Sequence, residues 1–232
     1  MRIILMRNGW TKDDHEQVLT GWGETTCEKE RLEADLKQAI AEISKFHPEV
    51  IFTSDAYCAL QTAQKLQQLL CLKEKDAMVP IHQDWRLRER YFGIYESQQL
   101  SQHDLELIDE SDEDERLRDG IEQLGNLDDR LLNFVESMYL YPIRFKTAIV
   151  ISHAVIIKRL MELSEPEALH PLLINCELVD CMLEAIGEED EESSEAEKRS
   201  GFFWKCWKKK HLGWIRTQTG VRDPETGGWN VD

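Results

Sequence analysis

The sequence predicts an α/β fold in three layers, a mostly parallel central sheet with helices on both faces. Three observations carry this. Continuous apolar runs such as Ile3-Ile4-Leu5-Met6 and Ala148-Ile149-Val150-Ile151 read as strands buried on both sides. Longer segments repeat apolar residues at helical spacing. The two kinds alternate strand, helix, strand, helix, strand, as a parallel sheet with crossover helices requires.

Taken in order, the opening strand stops at Arg7-Asn8-Gly9, where a glycine permits a sharp turn. A polar loop runs from Trp10 to Glu24. A helix over about Cys27 to Phe46 carries the stripe Leu32, Leu36, Ala39, Ile40 and Ile43, and His47-Pro48 ends it. Val50-Ile51-Phe52 is a second strand, followed by Thr53-Ser54-Asp55 as a helix start. That helix continues through Ala59, Thr62, Ala63, Leu66 and Leu70. Met78 to Ile81 reads as a third strand, placed at an edge by Pro80. Further helix follows over about Leu127 to Tyr139, then the strand Thr147–Ser152 and a helix from near Val155. Leu178–Ile186 is a last core strand, with a partner expected near Gly213–Thr219.

The whole chain, 1–232, reads as a single domain with two insertions. Residues 100–123 are acidic around Asp112-Glu113-Asp114-Glu115 and are expected to face water. Residues 187–211 are acidic and then basic-aromatic (Phe202, Phe203, Trp204, Lys205, Trp207, Lys208). The favoured reading of this second insertion is a solvated loop whose halves neutralise each other. The alternative is a patch, within 188–210, that docks a protein partner or a membrane surface.

Of 232 residues, 41% are hydrophobic, enough for a sizeable core, and the net charge is −17. That charge argues against nucleic-acid binding, because a phosphate backbone would be repelled. No apolar run is long enough to span a bilayer, and no leader pattern is evident. Six cysteines without a CxxC pair fit reduced thiols and a cytoplasmic location. No Cys/His cluster has metal-ligand spacing, so neither a metal nor another cofactor is expected.

Four polar clusters stand where strands end: Arg7-Asn8-Gly9, Thr53-Ser54, Arg86-Leu87-Arg88-Glu89-Arg90 and Ser152-His153-Ala154. Ligands of open parallel sheets gather at the carboxyl ends of strands, so the four can share one cleft. Arg7 and His153 suit a phosphoryl group, and Glu89 suits a general acid.

These clusters resemble the histidine phosphatase superfamily, the phosphoglycerate mutase-like fold. Leu5-Met6-Arg7-Asn8-Gly9 is similar to the family's strand followed by Arg-His-Gly. Thr20-Gly21-Trp22-Gly23-Glu24 resembles the Gly-Trp-x-Asp loop of the mutases. The stretch Thr53-Ser54-Asp55-Ala56-Tyr57-Cys58-Ala59-Leu60-Gln61-Thr62-Ala63 is similar to Thr-Ser-x-Leu-x-Arg-Ala-x-Gln-Thr-Ala. Trp85-Arg86-Leu87-Arg88-Glu89-Arg90-Tyr91-Phe92-Gly93 resembles Trp-Arg-Leu-Asn-Glu-Arg-x-x-Gly. Ser152-His153-Ala154 matches the second-histidine strand, and Ile174-Asn175-Cys176 the asparagine near the family's last strand. The likeness runs in consistent order over about residues 1–185.

The resemblance implies that Arg7, Glu89 and His153 are retained as phosphate arginine, proton donor and second histidine. Trp22 and Arg86 become candidates for the pocket rim. It also implies two losses: the nucleophile position holds Asn8, and the second phosphate arginine is Cys58. An amide nitrogen, its lone pair delocalised, can donate a hydrogen bond to phosphate but does not readily attack phosphorus. Each charge-assisted hydrogen bond is worth about 1.5–3 kcal/mol, so losing a guanidinium weakens anion binding. Asn8 alone would fit a ligand-trapping substitution, but such a variant keeps its phosphate clamp. Cys58 as a thiolate nucleophile is set against a buried structural thiol, which its place inside a helix favours.

The expected function is therefore a pseudo-phosphatase with a weakened phosphate-binding pocket, taking a phosphate-containing small molecule or a phosphoprotein. An active phosphatase or mutase-related enzyme of low turnover is the first alternative. An interaction scaffold is the second.

Overall fold

The computed structural model describes residues 1–74, 78–101, 108, 111–141, 144–164, 170, 172–185, 202–205, 221–222 and 229–230. Its centre is a six-stranded sheet built from β1 (Arg2–Arg7), β2 (Val50–Thr53), β3 (Ile81–Gln83), β4 (Thr147–Ser152), β5 (Leu178–Ala185) and β6 (Phe202–Lys205). The strand order is β3-β2-β4-β1-β5-β6. The first four in that order are parallel, and β5 and β6 are antiparallel additions. The mostly parallel three-layer sheet is thus observed. A separate two-stranded ribbon pairs β7 (Val221–Arg222) with β8 (Trp229–Asn230).

Six helices accompany the sheet among the described residues: α1 (Lys12–Glu16), α2 (Lys29–Ile43), α3 (Tyr57–Glu74), α4 (Glu113–Arg118), α5 (Leu124–Tyr139) and α6 (Ala154–Ser164). The apolar runs of the strands divide by parity, because successive side chains point to opposite faces. Ile3, Leu5, Val50, Phe52, Ala148 and Val150 pack against Leu131, Phe134, Val135 and Met138 of α5 and Ile156, Ile157 and Leu160 of α6. Ile4, Met6, Ile51, Ile149 and Ile151 pack against Leu32, Leu36, Ala39 and Ile43 of α2 and Ala59, Ala63, Leu66 and Leu70 of α3. Burying a side chain of this size contributes about 1.5–3 kcal/mol, so the two layers clamp the sheet from both sides.

Several details depart from the sequence reading. The loop after β1 contains α1, closed at its N-terminus by a reciprocal capping box between Thr11 and Asp14. The third strand begins at Ile81 rather than Met78. Pro80 lies before it, and its carbonyl accepts from the Ile51 amide at 2.9 Å. The strand does lie at the sheet edge. The acidic insertion is not wholly exposed: Ile108 and Ile121 are buried, and Ile121 bridges to Phe92.

The expected partner of β5 at 213–219 lies outside the described residues. The observed partner is β6, with Met182 opposite Lys205 and Ala185 opposite Phe202. A stretch read as part of a solvated loop is therefore a sheet strand. Its run of aromatic residues has high strand propensity, a signal that the flanking lysines masked.

Gly9 also has a different reason to be glycine. Its φ is not positive. A Cβ there would stand 2.4 Å from Leu32 Cδ1, so the requirement is close approach of α2.

Candidate active site

Because β1, β2, β3 and β4 are parallel, their carboxyl ends share one edge. Arg7 pairs in register with Ser152, and Thr53 with both Ile151 and Gln83. Asn8, Ser54 and His153 follow directly at that edge. The antiparallel β5 starts there, which brings in Asn175 and Cys176. Cys176 adopts φ 60, a left-handed conformation that costs an ordinary residue about 1–2 kcal/mol. Its amide donates to Arg7 O at 3.0 Å.

Asn8 is buried. Its backbone amide donates to Ser152 O at 2.8 Å, and its Nδ2 donates to Gly9 O at 2.9 Å. Asn175 Nδ2 donates to Asn8 O at 3.2 Å. The Asn8 side chain is thus engaged with its own backbone neighbour.

Arg7 is held by Nη1 on Leu173 O at 2.7 Å and by Nη2 on Asp14 Oδ1 at 2.8 Å. Its Nε is buried with no acceptor among the described residues. The other Asp14 oxygen, Oδ2, accepts from Thr11 N at 2.9 Å, Thr11 Oγ1 at 2.8 Å and Asn175 Nδ2 at 3.2 Å.

His153 is 7% exposed, and its Nε2 lies 3.0 Å from Ser54 Oγ. Burial, then the positive charges of Arg7 and Arg130, push its pKa down to about 3, so the imidazole is neutral at physiological pH. The hydroxyl–imidazole pair is not an accessible nucleophile, because Ser54 is fully buried.

Glu89 lies over the start of α6. Its Oε1 accepts from Arg90 N at 2.9 Å and its Oε2 from Val155 N at 3.4 Å. Enclosure raises its pKa against these hydrogen bonds and the nearby Arg7 and Arg130. The loop bearing Glu89 is fixed by Arg130, which reaches the carbonyls of Arg86, Arg88 and Glu89 and makes a fork to Glu122 at 2.7 and 2.8 Å. Neither Arg130 nor Glu122 belongs to a periodic or motif pattern that would mark it in the sequence. Asp14 did carry one, the Thr11-x-x-Asp14 capping spacing.

Trp22 is tied to the Glu89 loop. Its Nε1 donates to Glu89 O at 2.7 Å, Tyr91 meets its ring edge-on at 5.5 Å, and Arg88 lies over it at 5.1 Å. Arg86 is directed elsewhere. Its guanidinium binds Asp84 at 2.9 and 2.6 Å, Asn133 O at 2.9 Å and Ser137 Oγ at 2.8 Å. It lines a separate open hollow with Trp85, Asn126 and Asp129. Cys58, on the first turn of α3, is buried in the cluster with Met6, Cys27 and Ala59. Burial, with Cys27 close by, pushes its thiol far up and keeps it protonated.

Arg7, Asn8, Glu89 and His153 therefore meet at one edge, and Trp22 is bonded to the Glu89 backbone. Arg86 does not join them. Among the described residues no group of three or more His, Cys, Asp or Glu is placed to hold a metal. No helix among them is long and apolar enough to cross a membrane.

The fold is of the α/β class, with an arginine at the end of β1 and a histidine directly after β4 on the same sheet edge. The match to known families is specific. Residues 3–179 fit the histidine phosphatase superfamily (branch 1), and the chain belongs to that family. Phosphoglycerate mutase 1 of Saccharomyces cerevisiae is 29% identical over 94 residues, 40% of this chain and 36% of that protein. The 2,3-bisphosphoglycerate-dependent phosphoglycerate mutase of Corynebacterium kroppenstedtii is 32% identical over 94 residues, with the same coverage. The matched segment thus spans little more than a third of either mutase. Among solved structures, phosphoglycerate mutase from Bacillus anthracis superposes with a TM-score of 0.66 at 16% identity, covering 78% of this chain and 87% of that one. A mycobacterial glucosyl-3-phosphoglycerate phosphatase superposes with a TM-score of 0.64 at 16% identity, covering 89% and 96%. At such identities the likeness concerns the fold.

Proposed function

We propose that this chain is a degenerate member of its family, a pseudo-phosphatase that binds a phosphate-containing small molecule or phosphoprotein weakly and acts by binding. The observation that carries the reading is Asn8. It occupies the position from which a ring nitrogen would attack phosphorus, and its amide is tied to Gly9 O. An amide cannot form the phosphorylated intermediate. Cys58 adds a second deficit, because a buried neutral thiol replaces a guanidinium.

In this reading Arg7, Asn8 and His153 are the phosphate contacts, and Trp22 forms the rim. The mutases matched in sequence are named for phosphoglycerates, which supports a phosphorylated ligand. No cofactor is required. A cytoplasmic location and a protein partner engaging residues 188–210 belong to the same proposal.

The test is hydrolysis of a generic aryl phosphate. The wild-type chain is expected to show no turnover above background. Brisk turnover, or a phosphorylated side chain trapped during it, would overturn the reading.

A second reading has one observation in its favour. Glu89 is enclosed with its pKa raised, and its Oε2 sits on the Val155 amide, two residues after His153, an arrangement suited to donating a proton. On that reading slow catalysis persists. Glu89→Gln would then abolish a measurable wild-type rate.

A further inference from the structure

The donors at the end of β1 converge on an anion that belongs to the chain itself. Asp14 Oδ1 accepts from Arg7 Nη2 at 2.8 Å. Asp14 Oδ2 accepts from the Thr11 amide at 2.9 Å, the Thr11 hydroxyl at 2.8 Å and the Asn175 amide at 3.2 Å. A guanidinium, a backbone N–H, a hydroxyl and a carboxamide around two oxygens form the kind of cradle that recognises an oxyanion. Nη1 of Arg7 is also occupied, by Leu173 O at 2.7 Å.

We propose that Asp14 is the specificity-determining residue of this cleft: its carboxylate is a resident anion that occupies Arg7, so an incoming phosphoryl group must compete with it. This rests on the reading of the cleft as a phosphate site and deepens it, because it names the origin of the weak affinity. The loss at Cys58 removes a cation, and Asp14 neutralises the one that stays. His153 adds no charge, since it is uncharged at neutral pH. The arrangement is locally well supported. Asp14 closes the capping box of α1, and Thr11, its main partner, is buried.

The consequence is a ligand preference. A dianionic phosphate monoester meets like charge from Asp14 just where it needs Arg7. Replacing the carboxylate with the isosteric amide removes that repulsion and frees Arg7, while the oxygen of the new side chain can still accept from the Thr11 amide at the N3 position of the capping box.

The experiment is calorimetric titration of orthophosphate into wild-type protein and into Asp14→Asn, with a thermal melt of each to establish folding. Asp14→Asn is expected to bind orthophosphate at least about tenfold more tightly, the scale of one charge-assisted hydrogen bond. Adding Arg7→Gln to Asp14→Asn should erase the gain. Equal affinity in wild type and Asp14→Asn would overturn the proposal. So would a gain that survives Arg7→Gln, because Arg7 would then not be the released group. If Asp14→Asn does not fold, Asp14→Ser, which leaves the Thr11 N-cap in place, is read by the same criteria. These titrations involve no turnover. Hydrolysis by the wild-type chain would defeat the pseudo-phosphatase reading without deciding this one.

Discussion

His153 and Ser54 meet across the ends of two neighbouring strands, Nε2 to Oγ at 3.0 Å, with both residues buried. Burial, with Arg7 and Arg130 nearby, keeps this imidazole neutral. That state has a measurable consequence for stability.

A histidine held at a pKa of about 3 when folded returns to about 6.5 when unfolded. Below pH 6.5 the unfolded chain therefore binds a proton that the folded chain refuses. The contribution of His153 is fully present above pH 6.5 and is lost as pH falls towards 3. Between pH 6.5 and 5 the loss is expected to reach about 2 kcal/mol. Urea midpoints of wild type and His153→Gln measured across this range would check it. The glutamine variant should have the flatter profile, and parallel profiles would rule the mechanism out.

Arg130 and Glu122 form a buried fork, with side chains 5% and 12% exposed, that holds the Glu89 loop. Removing one partner strands the other charge, which costs about 3–5 kcal/mol in comparable sites. Arg130→Met should therefore unfold at markedly lower denaturant. Arg130→Met with Glu122→Gln should recover much of the loss. A double variant no better than the single would show that the carbonyl contacts, and not the ion pair, dominate.

Gly9 touches α2 where no Cβ fits, 2.4 Å from Leu32 Cδ1. Gly9→Ala should destabilise by about 1–3 kcal/mol through overpacking. Leu32→Ala in the same chain should relieve part of it. Additive losses in a double-mutant cycle would contradict the contact.

Thiol reactivity separates the readings of Cys58. Cys71 is exposed, whereas Cys27, Cys58, Cys176 and Cys181 are buried. Alkylation of native protein should label Cys71 quickly and Cys58 only after unfolding. Rapid native labelling of Cys58 would restore it as a candidate nucleophile.

The sequence by itself determined the sheet and its helical layers. Ile3 to Met6 and Ala148 to Ile151 are apolar at every position, and such runs are stable only when both faces are covered. It also placed Arg7, Asn8 and His153 at the ends of β1 and β4, because motif spacing is local information, whereas Glu89 lies on a loop six residues beyond the end of β3. The destination of long side chains was not local. Arg86 and Arg88 sit two residues apart, yet one turns to Asp84 and Ser137 while the other reaches Asp55 and Trp22. Arg130 reaches carbonyls more than forty positions away. The pairing of Arg7 with Asp14, and of β5 with β6, likewise depends on which groups the folded chain brings within about 3 Å. Hydrogen bonds and ion pairs are short-ranged, so only the tertiary arrangement decided which charges in the cleft remain free to meet a ligand.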